Sequence, residues 1–149
     1  MFTFNRILVA TDFGEASERA LELALELAAR FDSELTLVHI WEFPSFEYLD
    51  GLPTPNEFAE HVAEAARARM DATIRTIEPR HANVRSIVKM GIVWLALLHA
   101  AEEAKSDLIV LGTHGRRGIK RAILGSVAEK LVRLAHVPVL TVHGEDEAK

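Results

Sequence analysis

Apolar positions along this chain follow two alternating rhythms. RILVATD (6–12) is a short apolar run rich in β-favouring residues, and SERALELALELAARF (17–31) then repeats leucine and alanine at helical spacing. SELTLVHIW (33–41) reads as a second buried strand. In EFPSFEYLDGLPTPN (42–56) three prolines and a glycine erase all periodicity, which predicts a loop. A long helix is expected from Asn56 through EFAEHVAEAARARMDATIRTIE, stopping at Pro79, and VRSIVKMG (84–91) as strand three. IVWLALLHAAEEAKS (92–106) predicts helix three, with Ile92, Leu95, Ala96, His99 and Ala100 near one face. DLIVLG (107–112), SVAEKLVRLAH (126–136) and VPVLTV (137–142) supply strand four, helix four and strand five.

Strands alternating with helices imply an α/β fold. Parallel neighbours need crossover connections, and right-handed crossovers put helices on both faces of the sheet. The expected architecture is a single doubly wound, Rossmann-like, five-stranded parallel sheet in the order 3-2-1-4-5. Winding then reverses between strands one and four, and a crevice opens outside their carboxyl ends. Two segments meet there: ATDFG (10–14) and GTHG (112–115). Strand five falls at a sheet edge while carrying Val137, Val139, Leu140 and Val142, and an apolar edge invites pairing; Pro138 is tolerated at a strand start.

Composition narrows the picture. A length of 149 residues suits one domain, expected over 1–144 and followed by an acidic, flexible tail at 145–149. Apolar residues make up 49% and charged residues 26%, the balance of an ordinary globule. The chain has no cysteine, which excludes disulfides and thiolate metal sites. MFTFNRILVATD lacks the pattern of a signal peptide, and no apolar stretch approaches a bilayer span, so a cytoplasmic location is expected. A net charge of −5 argues against nucleic-acid binding. Charge is uneven, however: Arg116, Arg117, Lys120 and Arg121 make residues 112–128 locally positive, with no acidic residue among them. That asymmetry favours a small anionic ligand.

The positive segment reads GTHGRRGIKRAILGSV, with Gly112, Gly115, Gly125 and Ser126 in a Gly-x2-Gly-x9-Gly-Ser frame. Glycines let backbone N–H groups approach phosphate oxygens, and a helix start offers unpaired amides and a positive dipole end. The same residues also suit a plain turn and helix cap. Asp12 fits either a ligand contact or a cap of helix one, with Glu15 completing a capping box. His114 has no visible base, nucleophile or metal partner and reads as a loop residue; Phe43, Phe46 and Tyr48 suit either a lid or a cover for the sheet. The frame is neither a Walker A loop nor the dinucleotide fingerprint, and the seven histidines show no metal-ligand spacing.

The frame resembles that of the universal stress protein family, in the branch that binds ATP through Gly-x2-Gly-x9-Gly-Ser/Thr after strand four. The resemblance extends to ILVATD, LVHIW, DLIVLGTHG and VPVLTV, essentially the whole chain. It implies a base pocket lined by the backbones of Ala10 and Thr11, with Asp12 near the ribose or adenine side. It also implies that the Ile40 backbone holds adenine and that Leu111 closes an apolar slot. Gly112, Gly115 and Arg116 would wrap the phosphates, which Gly125, Ser126 and Val127 would receive. Trp94 departs from the small or proline-containing turn common at that position of the family. The implied function is an ATP-binding, nucleotide-responsive stress or signalling module, a homodimer through strand five, with at most slow hydrolysis and Mg2+ arriving with the nucleotide. An ATPase or self-phosphorylating enzyme with Ser126 as acceptor, and an interaction protein with an empty cleft, are the competing readings. No general base, Walker B partner or arginine finger can be assigned from the sequence.

Overall fold

The computed structural model describes residues 1–43, 54–114 and 124–144. Five strands, β1 (Arg6–Ala10), β2 (Glu34–Trp41), β3 (Val84–Met90), β4 (Leu108–Gly112) and β5 (Val139–Val142), form one sheet in the order β3-β2-β1-β4-β5. Every neighbouring pair is parallel, with Ile7 opposite Leu35 and Leu108, and Ile109 opposite Val139. The expected fold is the observed one. The tail at 145–149, and Phe46 and Tyr48, lie outside the described residues.

Period-two alternation sends successive strand residues to opposite faces. Ile7, Val9, Leu35, Leu37, Leu108 and Val110 enter one core with helices α1 (Glu15–Phe31) and α2 (Pro55–Ile77). Leu8, Val38, Ile40, Ile109 and Leu111 enter the other, with α3 (Val93–Glu103) and α4 (Ser126–Leu134). Central strands buried on both faces explain the near-continuous apolar runs in their sequences.

Helix α1 lays a stripe of small residues on the sheet, with Ala16, Ala20, Ala24 and Ala28 all buried. It ends at Asp32, whose φ of 54° is the left-handed turn that lets Ser33 N–H donate to the Ala28 carbonyl at 3.0 Å. Helix α2 starts at Pro55 with Thr54 as its cap. Glu57 N–H donates to Thr54 Oγ1 and Thr54 N–H to Glu57 Oε2, a reciprocal pair. The chain leaves α2 at Glu78, just before Pro79.

Helix α3 requires a correction. Its buried positions are Leu97, Ala100 and Ala101, whereas His99 is exposed and Ile92 is the exposed N-cap. The helix is apolar on almost every side, so its periodicity does not choose a phase. The sheet chooses the stripe whose alanines allow close approach. Trp94 is half-buried, with Lys130 of α4 5.2 Å from its ring centroid.

Across the α1–α2 face, Arg80 donates to both carboxylate oxygens of Glu22, at 2.9 and 2.6 Å. Those hydrogen bonds hold the Glu22 carboxyl below its ordinary value, against a smaller opposing effect of burial. A depressed carboxyl contributes stability above its unfolded pKa and loses it as pH falls through the folded one. Both side chains are more than half exposed, so Glu22→Gln should cost less than about 1 kcal/mol in urea unfolding at pH 7. The difference should vanish below the ordinary carboxylate range.

Gly112, at the end of β4, carries a larger constraint: a Cβ there would lie 2.8 Å from Ala16 Cβ and 2.9 Å from the Ala16 carbonyl carbon. Gly112→Ala should therefore destabilise by about 1–3 kcal/mol in the same assay, because helix backbone would have to move.

Candidate functional site

The site grows from the exits of β1 and β4, neighbours in the sheet whose following helices cover opposite faces. After β1 the chain is pinned: Thr11 N–H donates to the Val38 carbonyl at 2.9 Å, and the Thr11 carbonyl lies 2.7 Å from His39 Nδ1. Phe13 then turns with a φ of 62°, a conformation that is rare for a bulky side chain. Neighbouring groups hold it there. Its N–H donates to Thr11 Oγ1 at 3.0 Å, its ring packs on His39 at 4.6 Å between centroids, and the Arg69 guanidinium sits 4.3 Å from its ring centre.

The Asp12 carboxylate does not cap α1, whose N-cap is Gly14 with no side-chain hydrogen bond. Instead Asp12 Oδ1 accepts from Gly14 N–H at 2.8 Å and from Ser17 Oγ at 2.9 Å. The alternative of a capping box from Asp12 to Glu15 does not form, because the turn at Phe13 makes Gly14 the N-cap.

After β4, Thr113 N–H donates to the Val142 carbonyl, and the Thr113 carbonyl accepts from Gly125 N–H at 2.7 Å. This second bond draws the start of α4 onto the strand exit. A Cβ on Gly125 would lie 2.6 Å from that carbonyl oxygen, so only glycine permits the approach. The cap of α4 carries no side chain, and among the described residues no side-chain hydrogen bond caps its first turn, which borders the crevice.

Between these exits lies a cleft of about 320 Å³. Ala10, Val38, Ile40, Val93, Leu97, Leu111 and Val127 supply apolar walls; Thr11, Asp12, Ser17, Gly112, Thr113, His114, Gly125 and Ser126 supply the polar side. Nine of the residues expected in a ligand site are thus brought together: Ala10, Thr11, Asp12, Ile40, Leu111, Gly112, Gly125, Ser126 and Val127. Gly115 and Arg116 lie outside the described residues, as do Arg117, Lys120 and Arg121. Gly112 also has a packing role: its missing Cβ makes room for the first turn of α1.

Sequence reasoning missed Ser17, Val38, Val93, Leu97, Thr113 and His114. Val38 was legible as the residue two before Ile40 on the same strand face, and Leu97 only with the correct phase of α3. His114 is buried, 7% exposed, with its Nδ1 3.2 Å from Thr113 Oγ1; the same hydroxyl lies 3.4 Å from His143 Nδ1. It is a loop residue, as expected, but a buried one that forms part of the cleft wall. Phe43 does not line the cleft and packs against Phe58 of α2 at 6.2 Å.

A larger, shallower depression of about 910 Å³ runs along α1 and α2. Glu15, Glu18, Arg19, Glu22 and Glu26 line it, so carboxylates outnumber cations and the surface is poorly suited to an anion. The smaller cleft is the functional candidate.

A model of the universal stress protein family matches residues 3–143. Universal stress protein MJ0531 of Methanocaldococcus jannaschii is 30% identical over 142 residues, which cover 93% of this chain and 82% of that protein. The solved structure of MJ0577, from the same organism, superposes with a TM-score of 0.83 at 26% identity, covering 97% of this chain and 99% of that one. A universal stress protein solved in complex with cAMP is 25% identical, with a TM-score of 0.66 and coverage of 95% and 98%.

Removing the approach between β4 and α4 should open the site. Gly125→Ala is expected to shift the amide resonances of Thr113, Ser126 and Val127 in NMR spectra while leaving those of β2 and β3 in place. Unchanged resonances at the α4 start would contradict the contact.

Proposed function

The chain belongs to the universal stress protein family, and from that premise we propose that it binds an adenine nucleotide, ATP foremost, in the cleft between the β1 and β4 exits. The observation that carries this reading is the division of the cleft. One side is apolar and suited to a flat base, with Val38, Ile40, Leu97 and Leu111; the other opens on the uncapped start of α4 at Gly125, Ser126 and Val127. A helix start favours phosphate through its amides and dipole, and an exposed single charge there gains about 0.3–1 kcal/mol. Several contacts acting together are needed, and Gly115 and Arg116 are the proposed additional ones. A relative of this fold holds cAMP, an adenine ligand of the same class.

Mg2+ enters as the phosphates' own counterion, since no group of three or more His, Asp or Glu side chains converges among the described residues. The protein acts as a nucleotide-responsive module in a stress or signalling role rather than a fast enzyme. Among the described side chains of the cleft Asp12 is the one carboxylate, and its Oδ1 already accepts two hydrogen bonds.

We place the homodimer interface on β5. Its four residues are all half-buried at a sheet edge, and Val132 and Leu134 of neighbouring α4 are 52% and 45% exposed. Small-angle scattering at micromolar concentration should give a mass near twice 16.6 kDa; a monomeric mass would refute the interface.

For the nucleotide, isothermal titration should register ATP binding that Gly125→Val weakens at least about tenfold, with Glu22→Gln as an unaffected control. A melting curve for each variant separates lost binding from lost fold. Equal affinity in all three proteins would defeat the assigned site. Turnover abolished by Ser126→Ala would move the reading to the self-phosphorylating enzyme.

A further inference from the structure

The α3–α4 layer holds a second pocket, of about 290 Å³, at the amino ends of the strands and so at the far end of the sheet from the cleft. Leu98 and Ala101 of α3, Ile109 of β4, and Leu134 and Val137, which flank the turn from α4 into β5, form its apolar walls. Its size is near the lower limit of small-molecule sites, roughly 300 Å³. The exposed rim carries Glu102 and Lys105, beside His99 and His136. One carboxylate stands against one ammonium, so the rim does not select an anion or a cation by net charge.

Ser106 lines the same pocket and is 7% exposed. Its backbone is satisfied: the N–H closes the end of α3 by donating to the Ala101 carbonyl at 2.9 Å. Its Oγ is buried and has no hydrogen-bond partner among the described residues. The neighbouring Asp107 carboxylate is engaged elsewhere, accepting from the N–H groups of Asn5 and Arg6 at 2.8 and 3.1 Å. A buried hydroxyl without a partner costs stability that alanine at the same place would not. It is also unrestrained, because turning about Cα–Cβ to another staggered rotamer breaks no hydrogen bond. A lone polar group in an apolar pocket is the kind of feature that fixes the orientation of a ligand.

We propose that this pocket binds a small neutral molecule with an apolar body and a hydroxyl head, and that the head shares a hydrogen bond with Ser106 Oγ. A hydroxyl suits this serine because each group can both donate and accept. The pocket shares no lining residue with the cleft between the β1 and β4 exits, so the proposal stands whatever that cleft holds.

The test is a methyl-resolved NMR titration of the full chain with p-cresol and p-xylene, which have nearly the same shape and differ by a hydroxyl in place of a methyl. Both should shift the methyl resonances of Leu98, Ile109, Leu134 and Val137, and p-cresol should bind about fivefold more tightly, the scale of one neutral hydrogen bond. Ser106→Ala should bring the ratio close to one by weakening p-cresol alone; unchanged p-xylene binding then shows that fold and pocket survive. Ser106→Cys, close in size but with a thiol that hydrogen-bonds weakly, should lower the ratio as well. A preference for p-cresol that persists in both variants would overturn the role of Ser106 and the proposal with it. So would a wild-type protein in which neither probe shifts these methyls, or in which Val38 and Leu97 of the cleft shift in their place.

Discussion

The approach of the first turn of α1 to the end of β4 is the contact on which the rest depends. At Gly112 no side chain separates the strand from Ala16 and Ser17, and any Cβ would collide with helix backbone. The contact ties the β1 exit to the β4 exit, which are adjacent only because the sheet reverses its winding there. Helices on opposite faces cannot both roof this point. The cleft is therefore a consequence of connectivity, and the glycine keeps its floor closed.

Polarity inside the cleft follows from the same geometry. Strand residues that point to the α3–α4 face, Val38, Ile40 and Leu111, emerge at its base and continue the core of that layer to the surface. The loops after the strands and the start of α4 contribute the polar side, through Thr11, Asp12, Thr113, His114 and Ser126. The bond from Gly125 to the Thr113 carbonyl brings the two kinds of surface together. Thr11, Asp12, Ser17 and Phe13 form a compact network on the opposite lip, with the unusual φ at Phe13 held by its contacts to Thr11, His39 and Arg69.

The two edges of the sheet are treated differently. On β3, Arg85 pairs with Glu34 at 3.0 Å and Lys89 with Glu103 at 2.9 Å, so charged side chains guard the edge against pairing with another chain. The four residues of β5, Val139–Val142, carry no charge. One edge carries charge and the other does not.

Much of this was legible in the sequence. Apolar alternation, proline breaks and strand–helix order were enough for the layer architecture, because parallel strands need crossovers of one hand, while handedness by itself leaves the strand order open. The glycine-serine frame marked which loops face the crevice. Thr54 and Glu57 also carried a readable helix-start signal in TPNE, which places the start of α2 at Pro55. Other features were beyond local pattern. Helix α3 is apolar around most of its circumference, so its phase, and with it the place of Leu97 in the cleft, was decided by the sheet beneath it. Whether Asp12 capped α1 or faced the cleft turned on the backbone at Phe13. That Gly112 packs against α1 as well as lining the cleft is visible only in space. The sequence determined the elements and their order, since these depend on neighbours a few residues apart. Tertiary structure decided which faces, carboxylate oxygens and glycine gaps meet, since those depend on contacts between segments as much as a hundred residues apart along the chain.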